Sequence, residues 1–448
     1  RMGLRILIIG SGGREHALSW IVSRSKRKID KVYVMPGNAG TLSEKNVFNI
    51  DCDIADSHSV LNFAIENKID LTIVGPEDPL VNGLCDLFEK NNLNIFGPKK
   101  YFAQLEGSKV FAKDFMNKNN LPTAQYKEFE KIEQALDYIE NRKMPIVIKY
   151  DGLAAGKGVD ICESVADARD SIKKLLKPGQ KIIIEDFIKG IELSAIYICN
   201  PNASKKNIGL PWIKDYKSRD EFNSGPNTGG MGAISHPFCS YKKNDIYSLN
   251  VEIEKILNKT LMSIANDSDS NSKYNGFIYL GLMFSTNDNK PYILEYNCRM
   301  GDPETQNILM YLDKNNVDFL DLIGFNNSGY PDNFNLSFVD YTDISGFCCT
   351  VVLAAKGYPI NPIKDFYLDT SKLEDVSDVK VFHAGTKISN GAIKVTGGRI
   401  LTINAFSNTK QGAIDLAYEN ISKIKAFSDA ELKNEASDLV FYRNDIGS

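Results

Sequence analysis

The 448-residue chain is poor in the residues that mark several functional classes. It has only four histidines, scattered singly, and its eight cysteines include no Cys-x-x-Cys pair, so the usual zinc and dithiol spacings are missing. Such cysteines suit the reduced thiols of a cytoplasm better than a disulfide framework. Cys348 and Cys349 lie in an apolar run, where packing is the expected role. No apolar stretch approaches the ~18 residues of a membrane span, and no charged-then-apolar leader opens the chain. Neither sign of charge dominates: 53 basic against 57 acidic side chains leave a formal net charge of −4. That balance argues against a general binder of nucleic acid or membrane surfaces. The one compact basic cluster, Arg24 to Lys28, reads as a solvated turn closing the first helix. No long exposed apolar face stands out, so a monomer is the expectation, and the cysteines place it in the cytoplasm.

What the chain does have is a hydrophobic content of 43%, enough for two to four compact units. From residue 4 to 97, LRILIIG, KVYVMPG, DLTIVGP and LNIFGP read as strands that close on Gly or Pro and alternate with helical patterns. Runs apolar on both faces predict a doubly wound parallel sheet over 1–103. Ligands of such sheets gather at the carboxyl ends of the strands. A second α/β unit spans 104–328, and a smaller, mixed α+β unit spans 329–448.

At the first carboxyl end sits GSGGREHA, where backbone N–H groups and a helix N-terminus can meet an anion. A nicotinamide-cofactor fingerprint fails twice: Glu15 stands where the third glycine belongs, and Pro36-Gly37 follow the second strand in place of a ribose-binding acid. A phosphate cradle at Gly12, Gly13 and Arg14 and a plain tight turn both survive. In PIVIKYDGLAAGKGV, a strand offers Lys149 and leads into a glycine-rich loop holding Gly156, Lys157 and Gly158. Such a loop can close over a triphosphate, although an ordinary hairpin reads equally well. Gly158 stands where a Walker loop needs Ser or Thr. Further on, LEYNCRMGDPET places Glu295 and Asn297 two residues apart on a strand. Alternation sends both to one face, a hard-oxygen pair suited to Mg²⁺, with Arg299 continuing that face. A carboxylate paired with arginine is the alternative. His16 and His383 read as structural histidines.

Lys109 in EGSKVFAKDF, Lys149, the AAGKG loop, IEDF and EYN together resemble the ATP-grasp carboxylate–amine ligases. GSGGREHA, VGPEDPLVNGL, QLEGSK, SGPNTGGMGA, EYNCRMGDPETQ, KVFHAGT and TGGRIL, in that order, resemble one branch, the glycinamide ribonucleotide synthetase family. The resemblance implies an ATP-grasp domain over 104–328 with a mobile lid at about 122–190. It implies that glycine and 5-phosphoribosylamine are joined through glycyl phosphate, with ATP and Mg²⁺ or Mn²⁺. Another ATP-grasp ligase is the alternative.

The resemblance also implies roles. Lys109 and Lys149 hold the α- and β-phosphates, and Gly156 to Gly158, with Lys157, cap the γ-phosphate. Glu185 and Phe187 bracket adenine, with Glu192 on the ribose. Glu295 and Asn297 bind the metal, and Arg299 steadies the acyl phosphate. Asp215 and Lys217 face the substrates, and Asn227, Gly229 and Gly230 belong to a backbone nest near glycine. Gly12, Gly13 and Arg14, helped by Asn38, take the 5′-phosphate, and Glu77 the ribose hydroxyls. One departure is Met283, in the region where many ATP-grasp enzymes carry a second metal-binding carboxylate. Arg399 is a possible phosphate contact without an assigned role, and Lys356 is expected on a surface turn.

Overall fold

The computed structural model describes residues 2–153, 158–237, 241–268, 272–327, 345–373 and 376–448. It begins with the predicted doubly wound sheet. Five parallel strands, Leu4–Gly10, Ile29–Pro36, Val47–Asn49, Leu71–Val74 and Ile95–Phe96, lie in the spatial order 3-2-1-4-5. Alternation along the first strand sends Leu7 and Ile9 to one face and Ile6 and Ile8 to the other, all fully buried. Leu7 and Ile9 pack with Val60, Leu61, Leu84 and Phe88 from the outer helices. Ile6 and Ile8 share a core with Leu309 and Tyr311 of the second unit and Phe382 of the third. This sheet is therefore seated on the rest of the molecule.

The second unit contains two sheets. Tyr126–Phe129, Ile182–Asp186, Ile146–Tyr150 and Val159–Cys162 form a four-stranded antiparallel sheet in that order. Helices Ile132–Ile139 and Val165–Leu175 cover it, and Ile146, Ile148, Ile184, Ala135 and Ile172 lie in a core of its own. The run KIIIEDFIKGIELSAIYIC leaves this sheet at Asp186 and enters another at Gly190. Its two halves are thus strands of different sheets.

The larger sheet runs through Pro291–Asn297, Gly276–Ser285, Gly190–Cys199, Ile213–Asp215, Gly232–Ser235, Phe347–Ala355, Arg399–Ser407 and Val379–His383. Pairing of Gly232–Ser235 with Phe347–Ala355 carries it from the second unit into the third without a break. Cys348 and Cys349 are fully buried in the crossing strand, as packing requires. A small four-stranded sheet and helix Lys410–Ile421 complete the third unit.

The basic cluster after the first helix is not simply solvated. Arg24 meets Asp313 at 2.7 Å and Arg27 meets Asp321 at 2.6 Å, tying the first unit to the second. Among the described residues, no helix is long and apolar enough to cross a membrane.

Candidate active site

A cavity of about 380 Å³ opens where the three units meet. The first unit contributes Arg14 and Glu77 to its wall, and the third contributes Arg399. The second contributes Lys109, Lys149, Gly158, Glu185, Phe187, Glu192, Asp215, Lys217, Asn227, Gly229, Glu295, Asn297 and Arg299. Predicted residues from stretches as far apart as Arg14 and Arg299 are thus brought together, and Arg399, which had no assigned role, joins them. Gly12, Gly13, Asn38 and Gly230 stand behind the wall, while Gly156 and Lys157 lie outside the described residues.

Local sequence explains the basic end. Ser108 caps helix Lys109–Lys118 by accepting from the Phe111 N–H, which places Lys109 at the first turn. Its Nζ donates to the Gly152 carbonyl at 3.2 Å. Burial pulls the Lys109 ammonium below its ordinary pKa. Lys149 donates to the Leu294 carbonyl at 2.9 Å and forms an ion pair with Glu185. One turn beyond Lys109, Lys113 reaches the same carboxylate at 2.5 Å. Burial pushes Glu185 up, but Lys149 and Lys113 more than offset it and hold the group below the usual carboxylate range. Lys113 escaped the sequence reading because only Lys109 in EGSKVFAKDF carried the motif. Val147, Ile183, Phe187, Met283 and Leu294 add an apolar stretch of wall between the two sheets.

Glu295 and Asn297 share a face, with the Asn297 amide 3.4 Å from Glu295 Oε1. Lys217 Nζ lies 3.8 Å from that oxygen. Burial raises the Glu295 pKa, yet Lys217, Lys149 and Lys109 together hold it down at about 2. An ionised carboxylate beside an amide oxygen fits a divalent cation whose remaining ligands are water or substrate oxygens. Met283 lines the same cavity, and no group of three His, Cys, Asp or Glu able to hold a metal occurs among the described residues.

Arg299 lies between two acids, its Nε 3.2 Å from Glu77 and its Nη2 3.0 Å from Glu106. Glu106 also accepts the Cys298 N–H at 2.8 Å, and burial pushes its pKa up to about 7. Only its placement in QLEGSK beside Lys109 could have signalled it.

The first-unit turn is filled by protein. Asp302 Oδ2 lies 3.4 Å from the Arg14 N–H at the helix start, where an anion was expected, and Gln306 donates to its other oxygen at 2.7 Å. A Cβ on Gly12 would stand 3.0 Å from Asp302, and one on Gly13 would collide with Gln306. Asn38 donates to the Ser11 and His383 carbonyls at 2.8 and 2.7 Å and accepts from Gly40 and Thr41. It pins the turn to the third unit. Arg399 donates to the Asp302 carbonyl at 2.6 Å, so Arg14 and Arg399 flank one aspartate.

Asp215 and Glu304 complete the wall nearby. Burial raises both: Glu304 to about 7, and Asp215 well above its ordinary value with Glu304 adding to the push. Gly230 (φ +126°) stands behind Asp215, and a Cβ there would approach the carboxylate to 2.9 Å. His16 bonds Glu44 at 2.9 Å and accepts the His383 N–H at 2.8 Å, a structural role as expected. Lys356 is exposed, 3.6 Å from Asp438.

Three family models of phosphoribosylglycinamide synthetase match consecutive parts of the chain: the N domain at 4–106, the ATP-grasp domain at 107–305 and the C domain at 348–448. The chain belongs to the phosphoribosylglycinamide synthetase family. The phosphoribosylamine–glycine ligase of Clostridium acetobutylicum is 41% identical over 99% of both chains. That of Escherichia coli O157:H7 is 38% identical, covering 94% of this chain and 95% of its own. The crystal structure of the Thermotoga maritima phosphoribosylamine–glycine ligase superposes with a TM-score of 0.78 at 32% identity, over 99% of this chain and 100% of that one. A biotin carboxylase domain from Hydrogenobacter thermophilus, solved with MgADP and bicarbonate, shares the fold at a TM-score of 0.70 and 14% identity. It covers 95% of this chain and 91% of its own. The cavity thus lies where the parts of this chain matched by the N, ATP-grasp and C domains meet.

Proposed function

We propose that this cavity joins glycine to 5-phosphoribosylamine with ATP, through glycyl phosphate, giving glycinamide ribonucleotide, ADP and phosphate. Family membership supports the ATP-dependent ligation, as do phosphoribosylamine–glycine ligases similar over nearly the whole chain. The observation that carries the residue roles is the grouping on one wall of Lys109, Lys149, Lys217 and Arg299 around the Glu295–Asn297 pair.

Little protein acid–base chemistry is required. Glycine's carboxylate attacks the γ-phosphate, and the amine then displaces phosphate from the acyl carbon. The chain must neutralise charge, align reactants and keep water from the acyl phosphate. Lys109 and Lys149 face the α- and β-phosphates, and Glu185 holds Lys149 in place. Because two lysines engage the Glu185 carboxylate, adenine is left to the backbone near Phe187 and to the apolar wall, with Glu192 near the ribose. Arg299, fixed by Glu77 and Glu106, faces the acyl phosphate. The loop ending in Gly156, Lys157 and Gly158 covers the γ-phosphate, and the four-stranded sheet acts as the lid. Arg14 and Arg399 hold the ribose-phosphate end. Gly12, Gly13 and Asn38 act behind them by shaping the turn. Asp215 and Lys217 face the substrates beside the Asn227–Gly230 loop.

Glu295 and Asn297 would hold Mg²⁺ or Mn²⁺, which when bound supplies charge neutralisation to the phosphate oxygens. Replacing Glu295 by Gln should lower turnover at least about a thousandfold in a folded protein. It should also weaken Mn²⁺ binding read by electron paramagnetic resonance; unchanged Mn²⁺ binding would remove Glu295 from that role. The reaction itself is tested by ADP release with Mg-ATP and fresh phosphoribosylamine, with and without glycine. Glycine-dependent ADP matched by glycinamide ribonucleotide in a mass spectrum supports it. ADP formed only with another acid would leave an ATP-grasp ligase of different substrate.

A further inference from the structure

The acids of the cavity divide into two kinds. Glu77, Glu106, Glu185, Asp186, Glu192, Glu295 and Asp302 each have an arginine or lysine nitrogen within 4.0 Å. Asp215 and Glu304 have none among the described residues. Glu304 is 3% exposed, and Asp215 Oδ1 is buried without a hydrogen-bond partner among the described residues. Burying a carboxylate costs free energy unless a partner compensates. Both groups line the cavity, so a partner can come from a ligand.

The surroundings define that partner. The backbone leaves room for both carboxylates: a Cβ on Gly301 would overlap Glu304, and one on Gly230 would crowd Asp215. Tyr279 stands beside them on the wall, its hydroxyl 2.6 Å from Ser194 Oγ. Lys217 and Arg399 lie on either side, toward the Glu295 pair and toward Asp302 respectively. Arg299 also acts on Glu304 from a distance, but none of these three fixed cations makes an ion pair with either carboxylate, so a small cation with several N–H donors suits the buried pair. A phosphate does not.

We propose that Asp215 and Glu304 form a subsite for a primary ammonium group. This deepens the ligase reading and rests on it. Two reactants of that reading carry such a nitrogen: glycine, whose ammonium must be held while its carboxylate reacts, and phosphoribosylamine. In the second case the nitrogen bonds to the acyl carbon, and the C–O bond breaks with its electron pair leaving on phosphate. Of the two protons the ammonium loses, one passes to the Glu304 carboxylate before the attack and the other to the departing phosphate. Burial raises the pKa of both carboxyls, and Glu304 adds to the push on Asp215, in keeping with this use.

The test uses Asp215→Asn and Glu304→Gln, which keep shape and remove charge, each checked for an unchanged melting temperature. Glycine and glycolate, which carries a hydroxyl in place of the ammonium, are compared as acids. If the pair holds glycine, kcat/KM for glycine falls at least about 100-fold with the KM for ATP within threefold, and the preference for glycine over glycolate collapses. Calorimetric binding of glycine to protein loaded with a non-hydrolysable ATP analogue weakens in parallel. If the pair serves phosphoribosylamine, glycine-dependent ADP release persists while amide formed per ADP drops at least about tenfold. The subsite is overturned if folded variants keep both ratios within threefold, or if only the KM for ATP changes. Should one variant fail to fold, the other decides. Failure of the ligase reading is separate: the unsubstituted protein would then make no glycinamide ribonucleotide.

Discussion

Single side chains carry much of the coupling between units. His236 is one. Its Nε2 lies 2.7 Å from the Tyr311 hydroxyl, and burial pulls its pKa down to about 3. The folded value lies below the unfolded one near 6.5, so His236 contributes stability that is complete above pH 6.5 and is lost as pH falls toward 3. Between pH 7 and 5 this one residue should account for about 2 kcal/mol of lost stability. Its φ of +68° makes asparagine the compatible replacement. Urea unfolding should show the pH 7-to-5 loss shrinking by about that amount in His236→Asn, and an equal loss in both proteins would sink the account. Legibility at this scale followed chemistry carried by a residue type in a motif. Lys109, Lys149, Glu295 and Arg299, which line the cavity, stood out in their motifs, Lys109 through the family resemblance alone. Lys113 and Glu106 were not, since they pair with Glu185 and Arg299 across sequence distances that no local pattern encodes. Glu304 was hidden for the same reason, although EYNCRMGDPET contains it.

At the scale of elements, apolar runs located most strands of the first sheet and of the central hairpin. Val47–Asn49, with three residues, is too short to show a period. What no run could show was membership: the strands on either side of Phe187 are both apolar, yet they pair in different sheets. The short helix Ala39–Ser43 gives a test at this level. Asn38 caps it and also bonds the backbone of residues 11 and 383. Asn38→Ala removes the cap and leaves buried carbonyls without donors, for an expected cost of about 2–3 kcal/mol. Denaturant midpoints should register that loss. A change under about 0.5 kcal/mol would mean that water replaces the amide fully.

On the scale of the whole molecule, one sheet crosses from the ATP-grasp domain into the C domain, and one core gathers side chains from all three domains. The sequence divided the chain at a linker and gave no sign of this continuity, because strand pairing between distant segments leaves no local mark. The molecule should therefore lose its first, second and third domains together. Fluorescence of Trp20 and Trp212, which sit in different domains, should follow the same urea transition as far-ultraviolet circular dichroism. A fluorescence transition that runs ahead would break the shared-core account. The four-stranded sheet has its own core, so amides of Ile146–Tyr150 should exchange faster than those of Gly276–Ser285.

The crossing sheet also bears on how the protein is born. Ser235 hydrogen-bonds to Cys348, 113 positions later. At ribosomal speeds, that interval is about 6 to 20 seconds. For that time the nascent Gly232–Ser235 strand, just after the Asn227–Gly230 loop, shows an unpaired edge. Such edges recruit unintended strands. Slowed translation between these two segments should raise the aggregated fraction in the cell, more than the same delay placed after residue 410.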